Sequence, residues 1–276
     1  MKAIIDGDMI LYASASNNVV QVVHNDEVIC CQADPKDGFI QYMQRTERIA
    51  EDLNLNPEVD LMHCFTEKGM FRRDLAPSYK ANRKTPKPMG YYAIKDKCTE
   101  LPWAFMHEQV EADDLIGIFT TQFTELNEQC VIVSGDKDLL QIPGWHYWPE
   151  PFWGAKAKEG LRAFFKEFGM EEHTPYSFTI PPAAAERFFW AQVLAGDSTD
   201  GIEGVPGTGM VTATREVSKW KLEEPMECWE KVVRLYAKKG KTESDATTQA
   251  RLVRILRNHE YNLTTSELNL WTPPQK

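Results

Sequence analysis

The chain contains no run of about 18 apolar residues, the length that a membrane-spanning helix requires, so insertion as such a helix is excluded. It opens MKAIIDGDMILY, where a charged residue interrupts the first apolar stretch and no apolar segment leads to a small-residue cleavage site. That start predicts a protein that stays in the cytoplasm. The six cysteines, Cys30, Cys31, Cys64, Cys98, Cys130 and Cys228, make no C-x-x-C pair and no zinc-ligand spacing. A disulfide framework is disfavoured, and the thiols within apolar runs read as small hydrophobes. The six histidines fall into no recognisable pairing, which weakens a purely histidine-based mechanism. Positive charge is also short: 31 Lys and Arg stand against 41 Asp and Glu, for a net charge of −10. Taken alone, that balance argues mildly against a nucleic acid partner, because backbone binding needs positive charge.

What is present alters that picture. The 276 residues are 42% hydrophobic, enough to bury a core as one large domain or as a domain with a smaller appendage. The charge is unevenly spread: Lys68 to Lys97 holds nine Lys or Arg and only two acids, Asp74 and Asp96. Short apolar runs at Ala3–Ile5, Asp60–Phe65 and Val131–Val133 predict strands, and Phe105–Met106 a further short one. Val19–Val23 and Val28–Cys31 flank His24-Asn25-Asp26-Glu27 and predict a hairpin. Helical spacing covers Phe39–Leu53, Tyr91–Leu101 and Glu111–Phe123, then Ala183–Leu194, Val211–Lys219, Met226–Lys238 and Ser244–Asn258. Met70–Pro88 shows no sustained period, and Trp145–Pro182 is left unassigned. Alternating strands and helices predict an α/β fold with a mostly parallel central sheet, and the helical remainder suggests a boundary near Pro181-Pro182.

Three acids follow apolar strands: Asp6, Glu67 and Asp136, the last with Asp138 two residues on. In open parallel sheets, sites form outside the carboxyl ends of strands, so such acids converge although they are distant in sequence. The helix beginning EADDLIG adds Glu111, Asp113 and Asp114; Glu111 and Asp114 share a helical face. An aspartate after a strand is by itself usually a turn or N-cap residue, and EADD could be a solvated helix start. Jointly these acids form a concentration of negative charge that is costly unless hard divalent cations neutralise it. Two such ions about 4 Å apart activate water on a phosphodiester without a Ser, Cys or His nucleophile.

The stretch LAGDSTDGIEGVPGTG places Asp197 and Asp200 at one helix end, followed by Gly204, Gly207 and Gly209 before the next helix. Backbone amides in such a hairpin suit a phosphate. The basic segment offers Arg72, Arg73, Lys80, Arg83, Lys84 and Lys87 for phosphate contacts, with Tyr79 as a base-stacking face. An ordinary helix connection and a solvated basic loop are the plainer alternatives for these two features.

The stretches IIDGD, FRRDLAPSYKANRK, EADDLIG, VSGDKDLLQ and LAGDSTDGIEGVPGTG, in this order, resemble the flap endonuclease and 5′-nuclease superfamily. The likeness is greatest to the double-strand 5′-to-3′ exonucleases of T-seven-like, short-tailed phages, through the FT-acid at Glu67, YKANRK with Pro88–Tyr91, and the terminal EYNLTTSELNLW. The resemblance implies a PIN-like catalytic domain over residues 1–180, with a basic arch at about 68–100, and a helix-three-turn-helix DNA grip over 181–276. It implies that Asp6, Glu67, Glu111, Asp113, Asp114 and Asp136 hold a first magnesium ion. Asp138, Asp197 and Asp200 would hold a second, with manganese able to substitute. Lys80 and Arg83 would contact the scissile phosphate, and a potassium ion would bridge the glycine hairpin to DNA. Relatives usually carry Asp at the position of Glu67; Asp8 is an additional acid without an assigned role. The implied activity is 5′-to-3′ exonuclease action on duplex DNA by a monomer, with flap endonuclease and RNase H-like activity on RNA–DNA hybrids. Two alternatives stand beside it: a PIN-type endoribonuclease, and a structure-specific DNA-binding protein with a decayed active site.

Overall fold

The computed structural model describes residues 1–149, 171–174 and 177–275. Most of the unassigned stretch Trp145–Pro182, namely 150–170 and 175–176, lies outside the described residues. The centre is a seven-stranded sheet. Strand β1 (Lys2–Asp6) pairs in parallel with β4 (Leu61–Cys64) on one side and β6 (Cys130–Val133) on the other. The short β5 (Ala104–Phe105) and β7 (Gly144–Tyr147) extend the parallel part outward. Antiparallel β9 (Ser177–Ile180) and β8 (Glu171–Thr174) complete the order β5-β4-β1-β6-β7-β9-β8.

A strand buried on both faces must be apolar at every position, and Ala3, Ile4 and Ile5 are fully buried. Ala3 and Ile5 face α1 (Gly7–Asn17), α2 (Pro35–Leu53) and α4 (Tyr91–Thr99). Ile4 faces α5 (Ala112–Glu125) on the other side, as the two-residue alternation of strands demands. Helix α1 follows β1 without a loop, with Asp6 as N-cap accepting from the Met9 amide at 3.0 Å. The expected hairpin is present as β2 (Val20–His24) and β3 (Glu27–Gln32) and stands exposed on both faces.

Helices α6 (Pro182–Ala195), α7 (Met210–Val217), α8 (Pro225–Ala237) and α9 (Glu243–Val253) pack around Trp190, Trp220 and Trp229, with Tyr79 inserted from the basic segment. The Met70–Pro88 part of that segment contains one short helix, α3 (Phe71–Leu75). The spacing predicts the last helix through Asn258, but it stops at Val253. Arg254 is extended, and Ile255 and Leu256 bury themselves against α5. Burial of those side chains outweighs continuing the helix. Gly117 in α5 makes the crossing possible, because a methyl group there would collide with the Leu256 carbonyl.

Candidate active site

The carboxyl ends of β1 and β6, the start of α5 and the basic segment enclose a cleft of about 1090 Å³. Seven acids line it: Asp6, Asp8, Glu111, Asp113, Asp136, Asp138 and Asp200. Lys80, Arg83, Lys84, Lys87, Lys95 and Arg73 form the facing wall. The register Ile5 to Val133 sets Asp6 beside Ser134, whose hydroxyl donates to Asp6 Oδ2 at 2.9 Å and accepts from the Asp136 amide at 3.0 Å. Asp136 Oδ1 in turn accepts from the Asp138 amide at 2.8 Å. On the α5 side, Thr66 donates its amide to Asp8 at 2.9 Å and takes the first helical amide, from Ala112, on its hydroxyl at 3.0 Å. Thr66 thus fixes the helix start that presents Asp113.

The electrostatics follow from this crowding. Burial and the neighbouring Asp8, with Asp136 adding to them, push the Asp6 carboxyl up to about 7. Burial, then Asp136 and Asp6, drive Asp113 well above the usual carboxylate range, and burial with Asp136 raises Asp138. Burial alone would raise Glu111 too, but Arg72 and Lys80 hold it below its ordinary value. Asp6 and Asp113 therefore resist full ionisation unless a cation joins them. Such groups, oxygen-only and clustered in a cleft, fit a hard divalent ion. Among the described residues, no three His, Cys, Asp or Glu close tightly enough to hold an ion alone.

A second group lies beside the first. Asp197 and Asp200 sit in the loop after α6, which crosses itself at Gly196 and Gly204, where a methyl group on either would strike the other's backbone. The basic segment is fastened to this loop: the Lys80 amide donates to the Asp200 carbonyl at 2.8 Å, and Asn82 Nδ2 to the Ser198 carbonyl at 2.8 Å. Lys80 bonds to Glu111 and stands 3.6 Å from Asp200, and Arg83 pairs with Asp200. Lys137 bridges Asp138 and Asp197; against its burial, Lys137 and the Thr199 amide keep the Asp197 carboxyl below its usual value.

Five expected site residues are placed differently. Asp114 is fully buried on the far side of α5, with both oxygens on Arg72 at 2.6 and 2.7 Å. Arg72, expected at DNA, is buried with it. Tyr79 offers no stacking face, being buried with its hydroxyl donating to Glu111 at 2.7 Å. Glu67 is exposed and outside the cleft lining, because the chain turns outward once Thr66 has docked on Asp8 and Ala112. Gly204 is buried and its amide donates to Gln249 Oε1 at 3.1 Å, whereas Gly207 and Gly209 remain open at the start of α7. The sequence reading missed Ser134, Lys137 and Gln192, which donates to Asp138 at 2.6 Å. Only Lys137 carried a local signal, its place between two acids in GDKD.

Residues 3–147 match the family described as 5′-3′ exonuclease, N-terminal resolvase-like domain. The chain belongs to this family. It is 28% identical over 240 residues to the exonuclease of Escherichia phage T7, covering 76% of this chain and 73% of that one. It is also 28% identical over 240 residues to the exodeoxyribonuclease of Enterobacteria phage T3, covering 76% and 72%. A 5′-3′ exonuclease of Mycobacterium tuberculosis is 31% identical over 209 residues, 64% of this chain and 58% of that protein. Among solved structures, T5 5′-exonuclease with bound zinc aligns with a TM-score of 0.60 at 17% identity, covering 91% and 88% of the two chains. The bacteriophage T5 flap endonuclease in a pseudo-enzyme-product complex with DNA and metal ions aligns at 0.59 and 16% identity, covering the same 91% and 88%. At that identity the agreement concerns the fold: the α/β architecture with its mostly parallel sheet. Among the described residues, no helix is long and apolar enough to cross a membrane.

Proposed function

We propose that this 5′-3′ exonuclease family member hydrolyses phosphodiester bonds of duplex DNA from 5′ ends with two magnesium ions, manganese substituting. The observation that carries the reading is the single cleft in which acids at the strand ends face a wall of Lys and Arg. Asp6, Asp113 and Asp136, with Glu111 beside them, would hold one ion; Asp138, Asp197 and Asp200 would hold the other. When bound, the ions supply Lewis acidity and an activated water. Lys80 and Arg83 pair with Glu111 and Asp200; with ions held by those acids, the two cations would be free to counter charge that develops on the phosphate. Lys84, Lys87 and Arg73 would hold flanking phosphates. Gly207 and Gly209 would offer an open helix start to the DNA backbone, and a potassium ion held there would supply positive charge to it. Residues 1–180 would carry the chemistry and 181–276 the duplex grip.

The same cleft would admit 5′ flaps and RNA–DNA hybrids, with the protein acting as a monomer. Six free cysteines, two of them exposed neighbours, suit a reducing cytoplasm. The test is parallel digestion of 5′-labelled and 3′-labelled duplex, flap and RNA–DNA substrates with magnesium. Loss of nucleotides from the 5′ end by wild type, and none by Asp136→Asn, supports the reading. Degradation from 3′ ends alone, or near-normal turnover by Asp136→Asn, overturns it.

A further inference from the structure

We propose that Lys137 is a resident counter-cation of the Asp138–Asp197 pair, and that a divalent ion enters this position only by displacing it. The inference rests on the two-ion reading above. The two acids come from separate parts of the chain, one after β6 and one after α6, yet one ammonium touches both. Lys137 Nζ lies 2.8 Å from Asp138 Oδ1 and 2.8 Å from Asp197 Oδ2. An ion bridging those two oxygens would have to take its place.

The acids are anchored and the lysine is not. Asp138 is held from behind by Gln192, whose Nε2 donates to the same Oδ1 at 2.6 Å. Gln192 Oε1 takes Gln141 Nε2 at 2.5 Å, and Gln141 Nε2 also donates to the Val253 carbonyl at 2.6 Å. Both glutamines are 1% exposed, so this amide chain is packed in place. Asp197 is fixed through Oδ1, which accepts from the Thr199 amide at 2.8 Å. The Lys137 side chain, by contrast, is 54% exposed. It leaves without opening a cavity and regains water as it goes, so the exchange costs only its two ion pairs. No Lys or Arg bridges Asp6, Asp113 or Asp136 among the described residues in this way. Two ions consequently bind with unequal affinity, the weaker at Asp138–Asp197. Lys137 sets that weakness, acting as a positioning and selectivity residue without touching the reacting atoms.

The experiment is a manganese titration of the full chain without DNA, followed by the electron paramagnetic resonance signal of free manganese. Wild type, Lys137→Met and Lys137→Arg are compared. Lys137→Met should tighten the weaker class of sites about tenfold, the equivalent of losing two partly exposed ion pairs, and leave the tighter class unmoved. Lys137→Arg should keep the weaker class as weak as wild type or weaker. A weaker class that is unchanged or loosened in Lys137→Met overturns the proposal while two-ion binding stands. A single manganese ion bound by both wild type and Lys137→Met overturns the two-ion reading together with it.

Discussion

Neighbouring aspartates in EADD should respond oppositely to the same substitution. Asp114 is fully buried and receives Arg72 Nη1 and Nη2 at 2.6 and 2.7 Å, the Glu111 amide at 3.1 Å and the Leu256 amide at 3.2 Å. Arg72 spends its remaining donors on Glu111 and on the carbonyls of Leu252 and Arg254. Asp114→Asn leaves a guanidinium facing an amide nitrogen in a dry site, and breaking a buried pair in this way costs about 3–5 kcal/mol. For a chain of this size that lowers Tm by roughly 6–15 °C. Asp113→Asn removes one of a group of mutually repelling acids, so Tm in EDTA should rise while cleavage is abolished. Thermal melts in EDTA beside hydrolysis of end-labelled duplex separate the two. A wild-type Tm for Asp114→Asn, or an equal fall for both variants, would refute the division of labour between these residues.

Asp6 makes the metal-free protein pH-dependent. Its folded carboxyl sits at about 7 against an unfolded value near 3.8, so above pH 7 the fold carries a burial penalty that protonation relieves. Asp6→Asn should therefore be the more stable chain at pH 8. Its advantage should shrink by about 1.4 kcal/mol per pH unit as pH falls from 7 toward 4, measured by urea melts in EDTA. Gly117→Ala should cost about 1–3 kcal/mol by forcing the Leu256 backbone off α5, visible in the same melts. Lys80→Met should lower kcat by about 10²–10³ if its ammonium stabilises charge on the phosphate. An unchanged single-turnover rate would place Lys80 with the structural ion pairs instead.

The acids that reach the cleft were legible because each lies in a short motif directly after a strand or at a helix start. For Asp6, Asp136 and Asp138, local spacing and sheet topology suffice. What spacing could not settle was the rotation of α5. Glu111 and Asp114 stand three residues apart, yet Glu111 is the N-cap residue outside the helix, so Asp113 takes the cleft and Asp114 the interior. Arg72 was hidden for a similar reason. In a segment holding nine cations, nothing local marks the one whose partners lie at Asp114, Leu252 and Arg254. Helix α1 escaped notice because it begins at the residue after β1, with no turn residues to announce it.

The polar contacts do not respect the boundary expected near Pro181-Pro182. Arg72, from the basic segment, reaches the carbonyls of Leu252 and Arg254, the Leu256 amide caps Asp114, and Gln141 holds the Val253 carbonyl. Through Gln192 that last contact continues to Asp138. The end of α9 therefore touches both acid groups, one through Arg72 and Glu111 and one through the paired glutamines. An unpaired buried charge costs several kcal/mol, so the Arg254–Leu256 segment and helix α5 must assemble together. The helical region is thus part of what aligns the carboxylates, in addition to any hold it takes on DNA.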